Sequence, residues 1–259
     1  MRNNNLLTDH TLIIDELERS INYYSLNSIL SFLPKGSYLV GGYIRDIILG
    51  RLPNEVDVDI VVPLNAIAIG KRISKNIESK FIILDKKREV VRIIFKHISI
   101  DIANQISSTV EGDLIRRDFS INSIAFLFDK RCLFDPLNGL KDLELSLLRT
   151  YSELNLLNDP LRILRCFRFL SELNFSIDLN LVSFIKKNKE ELYLVAKERI
   201  NYEIQKIVCG PNAHESVMLI KKLNIFESDT LYESSFFLDL QKINYGELNQ
   251  DEKDKFLPL

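Results

Sequence analysis

Tyr38-Leu39-Val40-Gly41-Gly42-Tyr43-Ile44-Arg45-Asp46 and Glu55-Val56-Asp57-Val58-Asp59-Ile60-Val61-Val62 are the two stretches on which the fold of this chain turns. In the second, Val and Ile alternate with Asp57 and Asp59, the period of two of a half-buried strand. The i, i+2 spacing puts both carboxylates on one face, roughly 6.5–7 Å apart along the backbone. Like charges so placed repel one another. Water relieves that repulsion, and so do bridging cations: two Mg2+ ions serve this role in enzymes that move phosphoryl or nucleotidyl groups. A strand with one wet face explains the same alternation without any chemistry. Ser99-Ile100-Asp101-Ile102 alternates likewise, and Asp101 joins the acidic face if its strand adjoins the first.

The first stretch reads as an apolar strand, a glycine pair and a helix. Gly41 and Gly42 let the backbone approach a phosphate, and the helix start offers unpaired N–H groups. Arg45, one turn in, has the fork geometry to clamp a triphosphate. No Gly-Lys-Ser/Thr follows, and the spacing is not that of a dinucleotide-binding loop. Taken alone, the glycine pair is also an ordinary turn.

Outward from these stretches the first part of the chain predicts mixed α/β structure. Leu12–Leu33 has helical periodicity, ended by Pro34-Lys35-Gly36. Ser37–Val40 is a strand and Tyr43–Leu49 a helix, with Gly50 as its C′ glycine. Leu64–Ile77 is helical. Phe81–Leu84, Val90–Phe95 and Ile98–Ile102 are strands, with Lys86-Lys87-Arg88 turning between the first two. From about Leu140 the strand signal fades. Pro160–Leu173, Leu179–Lys187, Arg199–Val208 and His214–Leu223 read as helices, the first capped by Asn158 or Asp159.

The chain has 259 residues, 46% hydrophobic and 27% charged, a composition that excludes disorder and a disulfide scaffold. Its net charge is −2. The 8 acidic and 3 basic residues from Ile225 onward leave the first 224 residues at +3, compatible with a nucleic-acid partner. Cys132, Cys166 and Cys209 are widely spaced, and three histidines form no ligand pair, so any metal falls to carboxylates. No apolar run reaches the ~18 residues needed to span a membrane. The start of the chain reads as neither a signal nor a transit peptide, and a reducing cytoplasm is the expected location.

The glycine pair followed by Asp57-Val58-Asp59 resembles the signature of polymerase β-like nucleotidyltransferases. More narrowly, it is similar to the bacterial tRNA nucleotidyltransferase and poly(A) polymerase family, the class II CCA-adding enzymes. Four further blocks fit that family in order: Asp113–Asn122 with Arg116-Arg117-Asp118-Phe119, Asp135–Leu143, Asp159–Phe169, and Glu198-Arg199-Ile200 with Glu203. The resemblance implies an α+β fold. A nucleotidyltransferase head with a mixed sheet would occupy residues 1–145 (catalytic core about 37–145), and an all-helical neck residues 146–259.

It also implies roles. Asp57 and Asp59 would hold two Mg2+ ions that align the 3′ end of tRNA with the α-phosphate of CTP or ATP, with Asp101 as a third catalytic carboxylate. Gly41, Gly42 and Arg45 would meet the triphosphate. Arg117 and Asp118, supported by Asn122, would hold the nucleotide and choose ribose. Asp159 and Arg162 would read the base edge as a protein template, where each good bidentate contact discriminates by roughly 1–3 kcal/mol. Arg165 and Arg168 would grip phosphate. A surface ion pair of i, i+3 neighbours is the plainer account of the Asp159–Arg162 spacing.

The chain also departs from the family pattern. Asn158 stands where fuller members carry Glu. The Ile102–Arg116 interval is short, as in members that add only two cytidines. The body and tail regions are expected to be truncated or absent, which leaves room for a further RNA-binding domain or chain. The expected activity is therefore CC or CCA addition to tRNA. Poly(A) or single-A addition shares the same blocks, and a non-catalytic nucleotide- or RNA-binding remnant is the reading from a different class.

Overall fold

The computed structural model describes residues 6–51 and 56–226, so most of the acidic end lies outside the described residues. The chain divides between Leu145 and Ser146 into two compact units.

The first unit opens with α1 (His10–Tyr23), whose N-terminus is capped by the Asp9 carboxylate accepting from the amides of Thr11 and Leu12. The single helix expected over Leu12–Leu33 is interrupted. Ser25 adopts φ +58°, the Leu26 amide reaches back to the Ile21 carbonyl, and only a short turn, α2 (Asn27–Leu30), follows. This is a Schellman closure with serine in the place usually taken by glycine. Then come β1 (Tyr38–Val40), α3 (Gly42–Ile48), β2 (Val56–Val62), α4 (Ala66–Asn76), β3 (Lys80–Asp85), β4 (Val90–Phe95), β5 (Ile98–Asn104), α5 (Val110–Ile115), β6 (Ala125–Leu127), β7 (Cys132–Phe134) and α6 (Gly139–Glu144). Gly50, at φ +66°, closes α3 as its C′ residue.

The seven strands form one mixed sheet in the order β3-β4-β5-β2-β1-β6-β7. β2 and β5 run parallel and the other neighbours are antiparallel. Strand alternation gives the sheet two faces. One carries Val58 and Ile60 of β2, Ile100 and Ile102 of β5, and Val91 of β4, all buried. Helix α4 lies on this face: a Cβ added to Gly70 would come within 2.6 Å of Val91 Cγ2, so only glycine permits the approach.

The other face bears Asp57, Asp59 and Val61. There Tyr38, Val40, Val61 and Ala125 form an apolar cluster with Leu114 of α5. Burial of Leu114 fixes α5, and with it the Arg116-Arg117-Asp118 segment that leaves its end, on the acidic side of the sheet. Burial and the nearby Asp113 carboxylate push the Tyr38 hydroxyl far above its ordinary range, so it stays protonated under this cluster.

The second unit contains β8 (Leu147–Leu148), α7 (Leu154–Asn158), α8 (Leu161–Leu173), β9 (Ser176–Ile177), α9 (Leu179–Asn188), α10 (Lys197–Cys209) and α11 (Ala213–Lys222). It is not purely helical, since β8 and β9 pair in parallel over two residues each. Two residues are too few to show alternation in the sequence. α8 is the central helix, packed against α10 and α11. No helix among the described residues is long and apolar enough to cross a membrane.

Candidate active site

The register of the sheet assembles a row of charged side chains. β2 and β5 are paired so that Asp59 lies opposite Asp101 and Asp57 opposite Ser99. β4 and β5 are paired so that Arg92 lies opposite Asp101. Arg92, Asp101 and Asp59 thus occupy consecutive strands at one level of one face, with Asp57 two residues along β2. Asp57 is exposed, Asp59 and Asp101 are half-buried, and Val56, Val58 and Ile60 are buried behind them.

Asp101 is in the row, but both its oxygens are occupied. Arg92 Nε donates to Oδ1 at 2.7 Å and Nη2 to Oδ2 at 2.8 Å. Those hydrogen bonds hold the Arg92 guanidinium above its ordinary pKa, with the charges of Asp57 and Asp59 adding to the effect.

Gly41 joins the row from β1. Its backbone sits at φ +90°, ψ −148°, where only glycine is at ease. A Cβ there would lie 2.6 Å from Asp59 Oδ2 and 3.6 Å from Arg117 Nη1. The missing side chain is therefore what admits the Asp59 carboxylate and the Arg117 guanidinium to the same backbone position. Gly42 plays the same part for Arg45, whose Nη2 would be 3.3 Å from its Cβ.

Arg45 follows Gly42 by three residues on α3. Its side chain is buried, and its fork closes on the neighbouring Asp46, Nε to Oδ1 and Nη2 to Oδ2, both at 2.9 Å. Its Nη1 donates to Asn122 Oδ1 at 2.8 Å, and Asn122 Nδ2 donates to Asp118 Oδ1 at 3.0 Å. These bonds link Asp46, Arg45, Asn122 and Asp118 into one chain. This chain ties α3 to the segment after Arg117. Arg117, Asp118, Asn122, Gly41 and Gly42 therefore lie together around the strand that carries Asp59.

In the second unit, Asp159 accepts from Arg199 Nη2 at 3.2 Å through both oxygens and does not cap α8 with its side chain. Arg162 is half-buried and its Nη1 donates to the Asn155 carbonyl at 3.1 Å. Arg165 is half-buried, 5.7 Å from the Phe169 ring centroid. Arg168 lies two steps of three residues beyond Arg162 on α8. It is buried, its Nη1 donates to Glu203 Oε1 at 3.1 Å, and its Nε is 3.5 Å from Glu172. The reason is helical phase. Steps of three residues lag by about 60° each, so by Arg168 the direction has turned about 120° from Arg162, into the core.

The Arg168→Ala variant leaves Glu203 buried without its ion pair. A loss of about 3–5 kcal/mol is expected. That is a fall in Tm of about 6–20 °C in thermal unfolding for a chain of this length. Arg165→Ala, at a half-buried position on the same helix, is expected to lower Tm by less than Arg168→Ala.

The donors on the acidic face suit Mg2+, since they are hard carboxylate oxygens on one rigid strand. Among the described residues no three of His, Cys, Asp and Glu converge as a metal cluster. Asp57 and Asp59 are the two carboxylates of this face that could hold a hard divalent cation.

Sequence reasoning missed Arg92 and Asp46. Arg92 reads as a solvent-facing residue in Val90-Val91-Arg92-Ile93, and only strand register reveals its partner. Arg199 was noted only as part of a block, without its tie to Asp159.

Residues 37–149 match the poly A polymerase head domain, and residues 174–228 match the probable RNA and SrmB-binding site of polymerase A. The chain is 36% identical over 186 residues to a CC-adding tRNA nucleotidyltransferase of Synechocystis sp., covering 72% of this chain and 45% of that protein. It is 31% identical to an A-adding tRNA nucleotidyltransferase of Deinococcus radiodurans, covering 75% and 45%. Among solved structures, the Thermotoga maritima CCA-adding enzyme complexed with tRNA superposes with a TM-score of 0.69 at 29% identity, covering 85% of this chain and 56% of that one. The chain spans about half the length of the curated relatives it matches.

Proposed function

Because this chain belongs to the tRNA nucleotidyltransferase and poly(A) polymerase family, we propose that it is a template-independent RNA nucleotidyltransferase that adds CMP from CTP to the 3′ end of tRNA. The observation that carries this reading is the face of β2. Asp57 and Asp59 project together, and Gly41, with no side chain, lies against Asp59.

In the reaction the 3′-hydroxyl gives up its proton to solvent and its oxygen bonds to the α-phosphorus, the bond to the β-phosphate oxygen breaks, and pyrophosphate leaves with the electron pair. Bound Mg2+ ions supply charge neutralisation at the attacking and leaving oxygens. Asp57 and Asp59 hold the ions from one rigid strand. The Gly41–Gly42 backbone leaves room for the triphosphate, and Arg117, steadied through Asp118, Asn122 and Arg45, meets the nucleotide. Asp159 and Arg162 choose the base: a carboxylate accepts from the exocyclic amino group of C or A, and a guanidinium donates to ring acceptors.

The short interval between Asp101 and Arg117, together with the likeness to CC-adding relatives, favours two cytidines as the product. The A-adding relative at 31% identity keeps single-A addition as the second reading. A cytoplasmic location goes with a tRNA substrate and with Cys132, Cys166 and Cys209 forming no disulfide among the described residues.

The test is extension of a labelled tRNA lacking its 3′ CCA, at low salt with Mg2+ and CTP, ATP or both. Two residues from CTP and none further with ATP support the reading. Three residues with both, or a ladder from ATP, replace it with CCA or poly(A) addition. No extension with nucleotide still bound makes the chain a binding remnant. In the same assay Arg162→Ala is expected to narrow the CTP-over-ATP preference by roughly tenfold, consistent with about 1–3 kcal/mol per base contact, with Mg2+ dependence unchanged.

A further inference from the structure

We infer that Arg92 is a positioning residue that withholds Asp101 from the metal, so that the metal-binding face of the head has two carboxylates where its sequence supplies three. The inference rests on the nucleotidyltransferase reading and adds to it how many ligands the site presents.

Three observations carry it. First, register places Arg92, Asp101 and Asp59 on adjacent strands in one row. Neighbouring strands are about 4.8 Å apart, so Asp101 is within reach of any cation held at Asp59. Second, both oxygens of Asp101 are engaged by the Arg92 fork, at 2.7 and 2.8 Å. A carboxylate gripped at both oxygens by a planar guanidinium has its charge compensated and its best lone pairs occupied. Third, Arg92 is still within the field of Asp57 and Asp59, which face it from β2. It therefore places a fixed positive charge on the Asp101 side of the site, where a cation bridging all three carboxylates would sit.

Without Arg92, three carboxylates on adjacent positions would form a strong hard-cation site, because ligand charge count governs the affinity of such sites. An ion trapped there before substrate arrives would not be free to enter with the nucleotide. With Arg92 in place, the empty face binds metal weakly, and the triphosphate supplies the missing oxygens. A plain cross-strand ion pair predicts the same hydrogen bonds but no effect on metal.

The experiment is Mn2+ titration of the nucleotide-free full chain, followed by the electron paramagnetic resonance signal of unbound Mn2+. Wild type, Arg92→Met, Asp101→Asn, the Arg92→Met/Asp101→Asn double variant, Asp57→Asn and Asp59→Asn are compared, with Tm recorded for each. Arg92→Met is expected to bind Mn2+ at least about tenfold more tightly than wild type, one added carboxylate being worth a decade or more. Asp101→Asn is expected to stay within about twofold of wild type, and the double variant to return to that value.

Unchanged Mn2+ binding in Arg92→Met overturns the inference, as does binding undetectable up to millimolar metal in both proteins. So does a loss in Asp101→Asn as large as in Asp57→Asn, a result that stands even if Arg92→Met does not fold. Asp57→Asn and Asp59→Asn keep the two readings apart. If neither variant weakens Mn2+ binding, the metal face itself is misassigned. If they do and Arg92→Met gains nothing, only the role of Arg92 fails.

Discussion

Asp57→Asn is expected to lower kcat for nucleotide addition by about three orders of magnitude or more, a barrier increase of about 4 kcal/mol. The amide keeps the shape of the side chain and removes the charge that holds a divalent cation. Metal stabilisation of the attacking and leaving oxygens is worth several kcal/mol, all of it in the transition state. Asp57 is exposed on β2, with the buried residues Val56 and Val58 to either side forming the opposite face. Its replacement removes no packing, so Tm should move by no more than about 1–2 °C. Asp59→Asn should cost turnover as much. A variant with near wild-type kcat at either position would remove the carboxylate pair from the mechanism.

Gly41→Ala carries the second large effect, and it acts through geometry. The backbone conformation, φ +90° and ψ −148°, costs an L-residue about 1–3 kcal/mol. The new Cβ would stand 2.6 Å from Asp59 Oδ2, closer than carbon and oxygen approach. Either the carboxylate swings away or β1 shifts, and a displacement of about 1 Å at a reacting centre costs about a hundredfold in rate. A fall in kcat of about two to three orders of magnitude is expected, with a modest loss of stability. Gly36→Ala is the control. Gly36 also has positive φ, +86°, but its Cβ would meet only Pro63 Cγ at 3.3 Å. It should lose stability and keep turnover. Equal kinetic damage at both glycines would show that Gly41 matters for the backbone alone and not for the carboxylate beside it.

How far the sequence could be read depended on whether a feature was local. The Val/Asp alternation of β2 announces its own two faces, and Gly50 announces the end of α3, because each depends only on near neighbours. β6 and β7 were not foreseen: each is three residues long, without alternation, and exists because β1 offers an edge to pair with. The break at Ser25 carries no glycine or asparagine to signal it. In the site, the proximity of Asp101 to Asp59 could be posed as a question, but the answer lay in strand register. Arg92 was silent for the same reason. Arg45 has a partner that was local. Its position one turn into α3 suggested a phosphate clamp, and the competing carboxylate was the adjacent residue, Asp46. The burial of Arg168 was not legible because a three-residue spacing looks like a stripe over two turns and leaves that face by the third.

The central claim is that the Asp57–Asp59 face performs nucleotidyl transfer. Its most direct measurement is the pyrophosphate released per tRNA, with Mg2+ and CTP, from a tRNA that ends just before its CCA. The account predicts two pyrophosphates per tRNA, no further release when ATP is added, and none from Asp57→Asn. CTP bound at the head with no pyrophosphate from the wild-type chain, at any Mg2+ concentration, would contradict it.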